Sequence, residues 1–272
     1  MPLPDAVVAI VEGFSARTEV AAIALGGSRS SRQADAWSDY DVYVYLDAEI
    51  PTGVRRNLAE RFDPDPEIDN AWFGPEDAWT DREAGVSIDL VYWDREWFER
   101  ELRDVIERHR PSLGYSTSLW HTARHSSLLF DRDGWFADMR RLAETPYPEP
   151  LRQAIVAFNH PLLRTSRSSW RHQVELAIAR DDPVSVQHRL TVFLASVFDI
   201  VFAVNRLLHP GEKRLLDHLS RLGTDASGRF DALVRNVIRA TGDPAQGDVL
   251  RAIDALCDMV DRMLGEAGLS RE

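Results

Sequence analysis

Two rhythms of apolar residues alternate along the first half of the chain. Between Asp5 and Ala16 they fall at Val7, Val8, Ile10, Val11 and Phe14, the spacing of one helix face. Val20 to Leu25 is an unbroken apolar run short enough for a buried strand, and Gly26-Gly27-Ser28 stops it. Asp41 to Leu46 alternates with β-branched and aromatic residues, which predicts a second strand. A helix is expected over Pro51 to Phe62. Glu67 to Phe73 and Val86 to Trp93 read as two more strands, punctuated by Gly74-Pro75 and Gly85. Arg95 to Arg108 reads as a charged helix, and Ser126 to Phe130 as a short edge strand before the turn Asp131-Arg132-Asp133-Gly134.

Pro146, Pro148 and Pro150 mark a boundary, and beyond them the pattern is helical. Helices are expected over Leu151 to Phe158 and Ser166 to Ala179. Asp182 offers an N-cap and Pro183 the first helical position of a long apolar helix through Leu208, ended by His209-Pro210-Gly211. Two amphipathic segments, about Glu212 to Leu222 and Asp248 to Ala267, complete a bundle. The expected fold class is therefore α+β: a small mixed β-sheet flanked by helices over 1–147, then a C-terminal α-helical bundle over 148–272. No internal repeat is visible.

Composition narrows the function classes. The single cysteine, Cys257, excludes a disulfide framework and a cysteine-based zinc site. A lone cysteine fits a reducing, cytoplasmic setting, and the first five residues lack the basic-then-apolar pattern of a secretory signal. Leu190 to Val204 is interrupted by Asp199 and is read as a core helix, with no membrane partner expected. A net charge of -12 argues against a long nucleic-acid partner and is compatible with a cationic small molecule. Lys213 is the one lysine among 32 basic residues.

The chemistry concentrates around Gly27-Ser28 and Asp39-Tyr40-Asp41. Two carboxylates two residues apart on a strand leave the same face, where they repel unless a cation lies between them. Hard oxygen ligands of this kind suit Mg²⁺, which completes its shell with water and substrate phosphates. Upstream, the glycines allow a phosphate to approach the backbone, and the Ser28 hydroxyl can donate to it. Asp89 lies in the apolar run Val86-Ser87-Ile88-Asp89-Leu90-Val91-Tyr92, where an unpaired carboxylate is costly, and is the candidate third ligand. Arg164, Arg167 and Arg171 read as a charged surface face. His121 and His125, four apart, lack an obvious third ligand. Trp72, Trp79, Trp93 and Trp97 flank the Asp89 strand and read mostly as core.

Gly-Ser, ten residues from Arg29 to Ser38, then Asp39-x-Asp41 resembles the nucleotidyltransferase superfamily that includes DNA polymerase beta. It is most similar to the branch of aminoglycoside and lincosamide adenylyltransferases and minimal nucleotidyltransferases. Ser38 before the pair and Asp89 in Ile88-Asp89-Leu90-Val91-Tyr92 fit that pattern, whereas Arg32 stands where many members carry glycine. The match covers about residues 20 to 93. The resemblance implies a metal-dependent enzyme that moves a nucleoside monophosphate, AMP from ATP foremost, to a hydroxyl of a small acceptor, releasing pyrophosphate. Asp39, Asp41 and Asp89 would be catalytic and would hold two Mg²⁺ ions, or Mn²⁺. Gly27, Ser28, Arg29, Ser38, Asn205 and Lys213 would bind the nucleotide, Lys213 as a cation for the pyrophosphate. Adenylylation of a protein or RNA, and a silent nucleotide-binding regulator, are the alternatives.

Overall fold

The computed structural model describes residues 3–27, 39–72, 74–221, 225–242 and 248–269. It divides into two compact units, Met1–Arg103 with Thr122–Thr145, and Asp104–His121 with Pro146–Glu272.

The first unit is α+β. Its elements are α1 (Asp5–Ser15), β1 (Val20–Leu25), β2 (Tyr40–Leu46), α2 (Thr52–Ala59), β3 (Glu67–Asn70), β4 (Glu76–Asp81) and β5 (Val86–Asp94), then most of α3 (Arg95–Ile106), the end of α4 (Ser118–His125), β6 (Ser127–Asp131) and α5 (Trp135–Ala143). The strands form one mixed sheet in the order β3-β4-β5-β2-β1-β6. Only β2 and β5 run parallel; the other pairs are antiparallel. Ser126 to Phe130 was expected at an edge, and β6 is one.

β1 is buried at every position, as its unbroken apolar run requires of a strand covered on both faces. β2 alternates instead. Tyr40, Val42 and Val44 join Ile88, Leu90 and Tyr92 of β5 in a core with Val7, Ile10 and Phe14 of α1 and Leu58 of α2. Asp41, Tyr43 and Tyr45 therefore face the other way. On that side Tyr45 meets Phe98, Trp135 and Phe136, which closes the far end of the face with aromatic rings.

β4 has no counterpart in the hydropathy pattern, because two of its inward positions are aspartates. Asp77 and Asp81 are buried with Trp79 between them. Asp77 accepts from Arg55 Nη1 (2.9 Å), Tyr92 Oη (2.6 Å) and the Asp69 amide (2.8 Å), and Asp81 accepts from the amides of Glu83 and Ala84. Satisfied in this way, a carboxylate can occupy an inward strand position.

The second unit is helical: α6 (Glu149–Leu163), α7 (Trp170–Ala179), α8 (Pro183–Val204), α9 (Leu215–Ser220), α10 (Asp225–Ala240) and α11 (Asp248–Glu266). α8 is the long apolar helix. Asp182 caps it through the Ser185 amide, with Pro183 in the first turn as expected. At 22 residues it is long and apolar enough to cross a membrane, but its second half is buried among the other helices of this unit. α10 was not anticipated, although Phe230, Val234 and Val237 line one face at helical spacing. Arg164 and Arg171 bind the acidic stripe Asp254, Asp258 and Asp261 of α11, so both are inter-helix ties.

The segment 104–121 packs with this unit although it precedes the Pro146–Pro150 boundary. Buried Asp199 of α8 accepts from the Ser116 amide (2.9 Å), Ser116 Oγ (2.7 Å) and Asn159 Nδ2 (3.1 Å). The Gly114 amide donates to Asn159 Oδ1. The residue that breaks the apolar run is the anchor of a distant loop.

Candidate metal centre

Asp39 precedes β2, Asp41 is its second residue, and Asp89 lies on β5. In the parallel register Asp41 and Asp89 are direct partners, as are Tyr43 and Val91. Register and pleat therefore carry both aspartates to the same face. One ligand atom from each of Asp39, Asp41 and Asp89 lies within 4.8 Å of the others, and all three residues are half-buried. No other such group of potential metal ligands exists among the described residues.

Burial, and then the charges of Asp39 and Asp41, push Asp89 up to about 6, with a hydrogen bond to Asp39 and the charge of Glu76 adding to the effect. Burial followed by Asp41 and Asp39 also pushes the Tyr43 phenol above its ordinary range.

The turn after β1 is built against these side chains. The Gly26 amide donates to the Asp41 carbonyl at 2.8 Å. Gly27 has φ +62°, and a Cβ there would fall 1.7 Å from Asp41 Oδ2. Only glycine fits that place, both by backbone angle and by space.

These residues fit a hard divalent cation. Three carboxylates converge from one side, and Mg²⁺ uses few protein ligands and leaves the rest of its shell to water and phosphate.

Of the other expected nucleotide contacts, Ser28, Arg29 and Ser38 lie outside the described residues, as does Arg32. Asn205 and Lys213 belong to the helical unit. Asn205 is the C-cap of α8, and its amide donates to the Val201 carbonyl at 2.8 Å. Lys213 is exposed on the bend before α9. His121 lies near the His218 ring, 6.3 Å between centroids, and joins no group with metal-binding spacing. Tyr43, which feels the charges of Asp41 and Asp39, is not among the residues the sequence singled out. The signal for Tyr43 was present, since it follows Asp41 by two residues on the same strand face.

No protein-family model matches the chain, and no curated protein matches it. Among solved structures it is similar to a nucleotidyltransferase-like protein from Exiguobacterium sibiricum 255-15, with a TM-score of 0.46 and 14% identity, covering 97% of this chain and 77% of that one. So distant a likeness transfers no residue roles.

Proposed function

We propose that the chain is a metal-dependent nucleotidyltransferase that moves a nucleoside monophosphate, AMP from ATP in its leading form, to a hydroxyl of a small acceptor. The observation that carries the reading is the convergence of Asp39, Asp41 and Asp89 on one sheet face beside the Gly26-Gly27 turn. A trio of half-buried like charges is costly in isolation and becomes useful when cations and phosphates complete it.

Bound Mg²⁺ would neutralise the triphosphate and the departing pyrophosphate. Asp39 and Asp41 would hold the ions, and Asp89 would share one of them. The turn at Gly26 and Gly27 would let phosphate oxygens approach backbone N–H groups without a Cβ between. Asp89 would also accept the acceptor's hydroxyl proton on a carboxylate oxygen. The rest of the rate would come from positioning and electrostatic complementarity. Asn205 and Lys213 enter as nucleotide contacts on the sequence resemblance alone.

The test is incubation with Mg²⁺ and each nucleoside triphosphate against a panel of hydroxylated acceptors, including aminoglycoside- and lincosamide-like compounds. Mass spectrometry would follow the nucleotidylated product and a coupled assay the pyrophosphate. Metal-dependent pyrophosphate release that vanishes in Asp39→Ala supports the reading. Nucleotide turnover that persists in Asp39→Ala and Asp41→Ala contradicts it.

A further inference from the structure

We infer that the Tyr43 ring is a positioning wedge that seats the Gly26-Gly27 turn on the metal-binding strand and thereby sets nucleotide affinity. The inference rests on the functional reading above.

Gly26 has no left-handed φ, so its φ does not by itself call for glycine. Space is what excludes a side chain. A Cβ on Gly26 would lie 2.0 Å from Tyr43 Cε2, and 2.8 Å from both Cδ2 and Cζ. The ring cannot easily yield. Its other neighbour is the Trp93 indole, stacked at 4.6 Å between centroids and 11° between planes. Trp93 in turn stacks on Phe98 of α3 at 5.3 Å, and Phe98 is fully buried.

Two successive glycines of the turn therefore abut two successive same-face side chains of β2. Gly26 abuts Tyr43, and Gly27 abuts Asp41. The Gly26 amide bond to the Asp41 carbonyl pins the turn to the strand at the same point. A valine or isoleucine at 43 would satisfy strand propensity equally well. The ring supplies a rigid shelf, held from β5, the strand that also carries Asp89. Movement of the shelf moves the turn but leaves Asp41 and Asp89 on their strands. Tyr43 is thus a positioning residue for phosphate, distinct from the metal ligands.

The test is a double-mutant cycle of Gly26→Ala, Tyr43→Ala and the double variant, with Tyr43→Phe and Tyr43→Leu beside it. Two probes are measured: Mg·ATP by equilibrium dialysis, and Mn²⁺ alone by electron paramagnetic resonance. Displacing a phosphate-holding element by a fraction of an ångström to 1 Å should weaken Mg·ATP at least about tenfold in each single variant. Mn²⁺ affinity should change less than about threefold, because Asp41 and Asp89 are not moved. The two losses should not multiply, since the methyl and the ring contest one space. Tyr43→Phe, which keeps the ring, should restore affinity to within about threefold of wild type.

Multiplying losses, equal loss of both probes, or a lower Tm with unchanged Mg·ATP affinity would overturn the wedge. If Tyr43→Ala does not fold, Tyr43→Leu takes its place in the cycle. If wild type binds no triphosphate with Mg²⁺, the functional reading fails by itself. The wedge is then judged on Tm, where the double variant must be no less stable than Gly26→Ala.

Discussion

Asp41 and Asp89 are register partners on the two parallel strands of the sheet, so their carboxylates leave one face side by side. Like charges opposite one another destabilise a sheet by up to about 1 kcal/mol. Asp89→Asn should therefore raise the Tm of the metal-free protein by a few degrees, following the rough scaling of about 2–4 °C per kcal/mol. The same substitution should reduce the Tm gain that wild type shows with Mg²⁺ or Mn²⁺. Differential scanning fluorimetry with and without metal reads both effects, and a destabilised metal-free Asp89→Asn would count against the arrangement.

Gly27→Ala should be more damaging than a typical surface change. Its backbone angle costs an L-residue about 1–2 kcal/mol, and its methyl would occupy the place of Asp41 Oδ2. We expect Mn²⁺ affinity to fall at least about tenfold, a loss of about 1.4 kcal/mol of binding. That result would separate Gly27 from Gly26, whose substitution should spare the metal.

Arg55 and Asp77 form a buried pair at 2.9 Å, and the Arg55 guanidinium lies 4.9 Å over the Tyr92 ring. Removing Asp77 leaves the buried guanidinium only the exposed carboxylate of Asp69, at 2.7 Å. Asp77→Ala should destabilise the first unit by about 3–5 kcal/mol, whereas Arg55→Met with Asp77→Leu should cost less. Urea unfolding of the three proteins compares them, and equal losses in the single and double variants would contradict the pairing.

Burial pushes Asp199 up to about 7 from 3.8, outweighing the three hydrogen bonds that favour its charged form. The folded chain then holds a proton that the unfolded chain has released. The contribution is fully present below about pH 4 and is lost as pH rises towards 7, by at most about 1.4 kcal/mol per unit. Asp199→Asn should flatten that slope between pH 4 and 7. Parallel stability profiles for the variant and wild type across this window would contradict the assignment.

The acidic trio was readable because Asp39 and Asp41 stand two apart where a strand begins, although Asp39 lies just before β2, and because a carboxylate amid Val86–Tyr92 demands a reason. The class of fold was equally readable from the change of rhythm after Pro150. β4 was not, since Asp77 and Asp81 take inward positions that hydropathy assigns to apolar residues. Their acceptability depends on Arg55, Tyr92 and turn amides, and some of these partners are distant in sequence. Asp199 looked like an interruption of α8 for the same reason, as its partners Ser116 and Asn159 lie 83 and 40 residues away. The Gly26–Tyr43 contact is tertiary, and no spacing rule announces it.

The most direct measurement is equilibrium binding of ATP to wild type, Asp39→Ala and Asp41→Ala, each with Mg²⁺ and with EDTA. The account predicts saturable, Mg²⁺-dependent binding to wild type that EDTA abolishes and that both substitutions weaken at least about tenfold. Binding of equal strength in all six mixtures, or none by any nucleoside triphosphate in wild type with Mg²⁺, would contradict it.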